Sequence, residues 1–461
     1  IRDHHFKLAV ALEAQEGADP EALYTHFSGA SRMDKARDYA VVTAHQAVEA
    51  FAFVRAAEFF ELALVDSPGN KQLQLDLAFA LKNAGRCYDS AMVFLDAAKD
   101  EPPDKTLMLR RAAAEQLMRG GYLKEGYRVL EMILQPCGFR LPRSTTEAIA
   151  KLLFNQTLNK AWMKVWGLAF DERSEDEVSN KELNRIDVVH TASIGFSAFH
   201  PLNNLLFQAL ALRLALKCGE PFRVGRSLAF EGFSIGTLSP TKWPWVKELT
   251  AEAEAIGTRL ENQHLIALSR MIRGMILALN GRYSESAELV FEYGEYFRQY
   301  AHGAAWERDN SAIWIAGILR LLGRWKELSL RLPEFIHEGA ACGNMYVKTG
   351  LQLWAGPTVH LMADLPDVAA EFLEKAHEPW EAGDFMSPSF WYLGGKVDIE
   401  IYRDSPMKAY KTFVDYWPTI EASKMLMVHW INTLIQFDRG RAALSAALTG
   451  DTKRLELLSD C

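Results

Sequence analysis

Two stretches of the chain share one pattern: FVRAAEFFELALVDSP spans residues 53–68, and CYDSAMVFLDAAKDEP spans residues 87–102. Each stretch has a small residue three positions after its start (Ala56 and Ser90), a phenylalanine four positions later, and a proline at its end. Small residues let two helices approach closely, and proline blocks continuation of a helix. The pattern therefore predicts the second helix of a repeated helix pair.

The preceding helices repeat at the same interval. Ala44, Ala78 and Ala112 hold one small position, and a third, less regular copy runs from Leu109 to Ile133. A two-helix unit of roughly 34 residues, with small and bulky residues at these steps, is typical of the tetratricopeptide repeat. We therefore expect an all-α fold, a tetratricopeptide-like helical-repeat solenoid in which antiparallel helix pairs stack into a superhelix.

The repeat is looser in the C-terminal half. Loop signals at Gly281, Gly323, Asp364 and Asp404 are spaced more widely than the repeats of the first half, which indicates longer helix pairs. A basic amphipathic segment runs from about residue 145 to 168, followed by a charged run that we expect to be an exposed loop. The predicted regions are junction helices at 1–35, a three-repeat array at 36–138, an irregular helical connector at 139–200, a second array at 201–440 and a terminal helix or cap at 441–461.

The composition is that of a folded protein. Of 461 residues, 49% are hydrophobic and 11% aromatic, which excludes intrinsic disorder. The 51 Lys and Arg against 59 Asp and Glu disfavour nucleic acid as a partner. The five cysteines form no C-x-x-C pair, and no apolar stretch reaches the ~18 residues of a spanning helix. We expect a cytoplasmic protein that binds neither nucleic acid nor membrane.

Catalytic signatures are absent from the sequence. It contains no phosphate-binding glycine loop, no H-E-x-x-H and no G-x-S-x-G, and the GDF at residues 383–385 is not the D-F-G of kinases. We expect no catalytic residue, cofactor or metal in this segment. His4 and His5 are adjacent on a helix, so their side chains point about 100° apart, which favours packing over metal binding.

The first helices of a tetratricopeptide array line its concave surface, and we expect a protein or peptide to bind there. Lys82 and Asn83 resemble the polar clamp with which some arrays hold a peptide carboxylate. The alternative is that these are ordinary residues of a solvated helix. The candidate partner-binding residues are His45, Glu49, Gln72, Asp76, Lys82, Asn83 and Arg110.

Several short stretches, in this order and spacing, resemble a known family. DHHFKLA (residues 3–9) and DPEAL (residues 19–23) look like the junction between the winged-helix end of a STAND-type ATPase module and its helical repeats. Later stretches resemble the C-terminal tail of large bacterial serine/threonine protein kinases that carry such a module. They are GFRLP at 138–142, RIDV at 185–188, CGEPFR at 218–223, WERD at 306–309, GRWKEL at 323–328 and DYWP at 415–418.

The resemblance covers the chain from residue 1 to about 445. It implies a non-catalytic regulatory or sensor tail that binds a partner and controls upstream ATPase and kinase modules of the same chain in bacterial signal transduction. The alternative is a STAND ATPase with another effector, such as a transcription regulator, a nucleotide cyclase or an antiviral effector. The matching residues Arg185, Asp187, Trp306, Glu307 and Asp309 are expected to hold helix pairs together.

Two further expectations complete the interpretation. The chain begins with Ile1 rather than methionine, inside a predicted helix, so we expect it to be a fragment of a longer protein. A third hypothesis for function, from another class, is a stand-alone enzyme with an unrecognised site in the irregular region 139–200.

Overall fold

The computed structural model describes residues 1–65, 67–197, 199–299, 304–380 and 386–449. These residues are almost entirely helical, and none of them forms a strand. Consecutive helices are joined by short turns and pack against each other along the chain. The prediction of an all-α, tetratricopeptide-like repeat fold is confirmed. The GDF at 383–385 and residues 450–461 of the predicted cap lie outside the described residues.

The chain forms two compact units. Unit 1 consists of Ile1–Pro136 with the short segment Ala340–Asn344, and unit 2 consists of the remainder. The finer division of the sequence into five regions stays a prediction.

Unit 1 contains the regular repeats. The second helices of two successive pairs begin at Phe53 and Cys87, at the start of the two quoted stretches. Its helices are α1 (Arg2–Glu13), α2 (Pro20–Gly29), α3 (Met33–Glu49), α4 (Phe53–Val65), α5 (Lys71–Asn83), α6 (Cys87–Ala97), α7 (Pro103–Arg119) and α8 (Leu123–Leu134).

Small residues form the contacts between the helices of unit 1. Ala44, Ala56 and Ala78 are fully buried, and Phe60 is 1% exposed. Ser90 on α6 is also fully buried, and its hydroxyl donates to the carbonyl oxygen of Ala78 on α5 at 2.8 Å. The small residues therefore bring the two helices of a pair close enough for a side chain to bond the neighbouring backbone.

Unit 2 contains longer helices and one irregular turn. A π-helical turn at Leu351–Ala355 joins α18 to α19. The helices are α9 (Thr145–Trp166), α10 (Asn180–Phe196), α11 (Pro201–Cys218), α12 (Pro221–Leu238), α13 (Trp243–Arg259), α14 (Gln263–Leu279), α15 (Tyr283–Gln299), α16 (Ala305–Leu321), α17 (Trp325–Ala341), α18 (Met345–Gly350), α19 (Gly356–Met362), α20 (Pro366–His377), α21 (Ser387–Tyr402), α22 (Pro406–Ser423) and α23 (His429–Leu448).

Unit 2 also brings distant parts of its sequence together. Helix α12 contacts α23, although α13 to α22 lie between them in the sequence. The ring centroids of Trp314 on α16 and Trp430 on α23 lie 6.2 Å apart. The array in unit 2 therefore curves until its last described helix meets an early one.

A buried ionic cluster ties α10 to α12. The carboxylate of Asp187 accepts from Arg223 at 2.9 Å and from Arg226 at 2.7 Å. The exposed fractions of these three side chains, in the same order, are 11%, 13% and 14%. Glu220 adds a second carboxylate 3.0 Å from Arg223. Asp187 therefore links two helices, as the sequence led us to expect.

Candidate functional site

The predicted partner-binding residues lie on the first helices of three helix pairs, α3, α5 and α7. Gln72, Asp76, Phe79 and Asn83 follow one another at helical steps of three or four along α5, which places them on one side of that helix. We call the exposed sides of α3, α5 and α7 that carry these residues the first-helix face of unit 1.

The structure brings three of the predicted residues together. Nε2 of His45 on α3 lies 3.9 Å from a carboxylate oxygen of Asp76 on α5. The other oxygen of Asp76 accepts a hydrogen bond from the side-chain amide of Gln72 at 2.9 Å. The His45 side chain is 52% exposed, so this contact is open to solvent.

The predicted carboxylate clamp is occupied by groups of unit 1 itself. The ammonium of Lys82 lies 3.8 Å from a carboxylate oxygen of Glu115 on α7. The amide of Asn83 donates to the carbonyl oxygen of Phe79 in its own helix at 2.8 Å. A peptide carboxylate at Lys82 would therefore replace the carboxylate of Glu115. The sequence does not identify Glu115 as the ion-pair partner of Lys82.

Glu49 and Arg110 stand apart from the other predicted residues. Glu49 is exposed near the end of α3, and Arg110 is half-buried on α7. Within the described part of unit 1, neither forms a hydrogen bond or an ion pair with the other five. The assignment of all seven to partner binding stays a prediction.

The first-helix face also carries apolar side chains that were not among the candidates. Phe79 on α5 is 51% exposed and Met108 on α7 is 54% exposed. Met108 and Glu115 are seven residues apart, two turns along the same side of α7. The face therefore combines exposed apolar surface with charges of both signs.

Unit 2 contains a cavity of about 130 Å³ lined largely by aromatic rings, which we call the aromatic cavity. Its walls come from helices between α11 and α23, and none of the described residues in its lining is charged. The tryptophans that line it are Trp306, Trp314, Trp354, Trp391 and Trp430.

Hydrogen bonds hold part of this lining in place. The indole N–H of Trp306 donates to the hydroxyl of Ser197 at 3.2 Å, and Asn310 donates to the carbonyl oxygen of Trp306 at 2.9 Å. The indole N–H of Trp391, a residue only 3% exposed, has no hydrogen-bond partner among the described residues. The lining thus includes one residue whose buried donor is not satisfied among the described residues.

Two backbone features shape the aromatic cavity. Trp354 lies in the π-helical turn, a distortion that is frequent at functional sites. Gly317 on α16 faces its ring, because a Cβ atom at residue 317 would lie 2.1 Å from Trp354. A larger residue than glycine at position 317 would therefore displace the indole.

The residues expected to join helix pairs divide between two roles. Glu307 on α16 pairs with His264 on α14 at 3.1 Å, which agrees with a structural role. Its neighbour Trp306 also packs against Phe230, with ring centroids 4.8 Å apart, but lines the aromatic cavity as well. No motif in the sequence indicates this second role of Trp306.

The described residues contain no group of three or more His, Cys, Asp or Glu side chains arranged to hold a metal ion. Nδ1 of His5 lies 3.0 Å from Nδ1 of His26, a hydrogen bond between the two rings that joins α1 to α2. The expectation that this segment has no cofactor stays a prediction. Among the described helices, none combines the length and the apolar character that crossing a membrane requires.

Comparisons with known proteins identify no family. No protein-family model matches the sequence, and no curated protein matches it at a significant level. Yeast Tom70 aligns over 99% of both chains with 12% identity and a TM-score of 0.33. The APC/C hetero-tetramer Cut9-Hcn1 aligns over 93% of this chain and 90% of that one, with 12% identity and a TM-score of 0.30.

A circular tandem repeat protein with novel repeat topology aligns over 98% of both chains, with 12% identity and a TM-score of 0.14. Similarities at this level leave the function to be argued from the chain's own residues.

Proposed function

We propose that this chain is a helical-repeat interaction module that binds a protein or peptide through the first-helix face of unit 1. The observation that carries the proposal is the stripe on α5, where the exposed ring of Phe79 lies between Asp76 and Lys82. Apolar surface supplies contact area, and charges on either side of it orient a partner.

The ion pairs on this face support an exchange of partners. The His45–Asp76 and Lys82–Glu115 separations of 3.9 and 3.8 Å are longer than hydrogen bonds, and these side chains are between 22% and 52% exposed. Exposed pairs of this kind contribute little to stability, at most about 1 kcal/mol. A peptide carboxylate can therefore take the place of Glu115 at small cost to the fold.

The binding proposal is tested with an array of synthetic C-terminal pentapeptides, each presented with a free carboxylate and as the amide. We expect peptides that combine an apolar residue with a free C-terminus to bind, and Lys82→Ala to weaken them tenfold or more. Lys99→Ala is the matched control, because Lys99 is an exposed lysine of unit 1 in the turn after α6, where it pairs with Asp96. Equal binding of acids and amides, or an effect of Lys99→Ala as large as that of Lys82→Ala, would contradict the proposal.

A finer proposal concerns the protein to which this chain belongs. The stretches that resemble bacterial kinase tails support a cytoplasmic, non-catalytic sensor whose binding event is passed to upstream ATPase and serine/threonine kinase modules. Such coupling typically amounts to about 1–3 kcal/mol. The alternative, a STAND ATPase with a different effector, rests on the same stretches.

The reading frame upstream of Ile1 separates these two versions. V-A-I-K, H-R-D and D-F-G motifs followed by a phosphate-binding glycine loop would support the kinase. A DNA-binding or cyclase domain in their place would support the alternative, and a frame that encodes no ATPase would contradict both.

A further inference from the structure

Unit 2 contains a second and larger cavity, of about 770 Å³, between α9, α10 and α11. Helix α9 contributes Trp162 and Trp166 to its lining, and α10 and α11 contribute Arg185, Arg213 and Lys217. We call it the basic cavity. It lies near the irregular region of the sequence and is distinct from both the first-helix face and the aromatic cavity.

The charges around the basic cavity are not balanced. Among the described residues of its lining, Glu182 is the one carboxylate, against three cationic side chains. That carboxylate already accepts a hydrogen bond from the hydroxyl of Ser179 at 2.9 Å, at the start of α10. Within the part of the chain that the structure describes, no carboxylate forms a salt bridge with Arg185 or Arg213.

The two arginines repel each other across a partly dehydrated space. Burial lowers the pKa of Arg213, and the positive charge of Arg185 lowers it further. Like charges held together without a counter-ion raise the free energy of the folded protein. An anion placed between them would remove this cost.

In the described ranges, aromatic rings rather than hydrogen bonds hold the guanidinium groups of the two arginines in position. The guanidinium of Arg185 lies over the ring of Phe139 at 5.0 Å, and that of Arg213 lies over the ring of Phe154 at 6.0 Å. The Nε of Arg185 and the indole N–H of Trp162 are buried and have no partner among the described residues. Buried donors left unpaired are uncommon in folded proteins and indicate a missing acceptor.

We propose that the basic cavity binds a small organic anion, in which a carboxylate or phosphate group is attached to a flat apolar body. The anionic group would accept from Arg185 and Arg213, since guanidinium groups pair with both carboxylate and phosphate in a fork geometry. The apolar body would pack against Trp162 and Trp166.

Isothermal titration calorimetry of the full chain with 2-naphthyl phosphate tests this proposal. We expect binding of one molecule per chain. The neutral 2-naphthol lacks the anion and inorganic phosphate lacks the apolar body, so each should bind at least tenfold more weakly. Equal affinity for 2-naphthyl phosphate and 2-naphthol, or no binding of 2-naphthyl phosphate, would overturn the proposal.

Two substitutions locate the site. Arg185→Met and Arg213→Met should each weaken 2-naphthyl phosphate tenfold or more, because each removes one side of the anion's fork. Arg259→Met is the matched control, since Arg259 is a half-exposed arginine of unit 2 outside this cavity. Unchanged affinity in Arg213→Met would overturn the assignment.

Thermal unfolding separates binding from a structural role. Arg213→Met removes a partly buried charge and its repulsion from Arg185, so the melting temperature of the free variant should equal or exceed that of the wild type. Excess 2-naphthyl phosphate should raise the melting temperature of the wild type and leave that of the variant unchanged. A free variant that melts well below the wild type would show that Arg213 supports the fold, against the proposal.

Discussion

Units 1 and 2 share the plan of stacked helix pairs but fill the space between helices differently. The core of unit 1 is rich in alanine, and it holds none of the chain's 12 tryptophans. All 12 lie between residues 162 and 430, in unit 2, which also contains the buried ionic cluster of Asp187. The two cavities described above lie among the aromatic and cationic side chains of unit 2. We accordingly place the proposed recognition on the surface of unit 1 and in the cavities of unit 2.

The stability of unit 2 can be measured separately, because tryptophan fluorescence reports on that unit alone. Circular dichroism reports on the helices of both units. Urea unfolding followed by both signals therefore assigns the effect of a substitution to one unit or the other.

The substitution with the largest expected effect on stability removes Asp187 from the ionic cluster of unit 2. Asp187→Ala leaves Arg223 and Arg226 buried without their shared carboxylate, so the free energy of unfolding should fall by about 3–5 kcal/mol. The measurement is urea unfolding followed by fluorescence.

The control is Glu61→Ala in unit 1, which removes one of the two carboxylates paired with Arg86; the Glu61 and Arg86 side chains are 44% and 43% exposed. Its unfolding curve by circular dichroism should nearly match that of the wild type. If the two variants lost similar amounts of unfolding free energy, the buried ion pairs would contribute no more to stability than the exposed one.

The next effect depends on pH. Burial raises the pKa of Glu231 on α12 to about 7, above its ordinary value of 4.5. Between those values the folded protein holds a proton that the unfolded chain releases, so this group makes stability fall as pH rises. Glu231→Gln should stabilise unit 2 by roughly 3 kcal/mol at pH 8 and have little effect at pH 4.

The matching substitution in unit 1, at Glu13, should show the opposite dependence of stability on pH. Hydrogen bonds from Lys35 and Tyr39 lower the pKa of Glu13, so its contribution is present at neutral pH and is lost as pH falls. Glu13→Gln should therefore destabilise at pH 7 more than at pH 3, by circular dichroism. If Glu231→Gln has equal effects at pH 4 and pH 8, the carboxyl is not the buried acid described above.

A smaller effect is expected at the aromatic cavity. Gly317→Ala places a methyl group against Trp354, and overpacking of this kind costs about 1–3 kcal/mol. Gly69→Ala in unit 1 is the matched control, because no atom lies within 4 Å of the added methyl group. The two melting temperatures give the result, and a Gly317→Ala protein as stable as the control would mean that the ring of Trp354 moves freely.

The smallest effect compares two serines at the same step of a second helix. Ser90 is the fourth residue of α6 and bonds the backbone of α5, so Ser90→Ala should cost about 0.5–1.5 kcal/mol. Ser286 is the fourth residue of α15, and its buried hydroxyl has no partner among the described residues. Ser286→Ala should be neutral or slightly stabilising. Urea unfolding of both variants tests this difference, and equal costs would show that the hydrogen bond to Ala78 contributes nothing.

The sequence was most informative where structure is determined locally. The starts of α4 and α6 follow from the small residues and turn signals within each repeat, because these act within a few residues of the chain. Helix α9 covers most of the basic amphipathic segment at about residues 145–168.

The cavities could not be predicted in the same way. Which side chains meet across unit 2 depends on the summed rotations between many helix pairs, and no local pattern records that sum. For Trp306 the sequence therefore predicts only a packing role. It does not indicate that Arg185 and Arg213 line the same cavity. On the first-helix face, helical position is enough to select the seven candidate residues. Identifying Glu115 as the partner of Lys82 also requires the alignment of α5 with α7, which the sequence does not give.

The return of α23 to α12 bears on how the protein is synthesised. Helix α23 supplies Trp430 and Ile431 to the aromatic cavity, so a chain still on the ribosome cannot complete that cavity until α23 has emerged. Until then Trp314 and Phe390, which pack against Trp430 in the finished protein, remain uncovered. We expect nascent chains arrested before α23 to be bound by chaperones that recognise exposed aromatic residues, and chains arrested beyond it to be released from them.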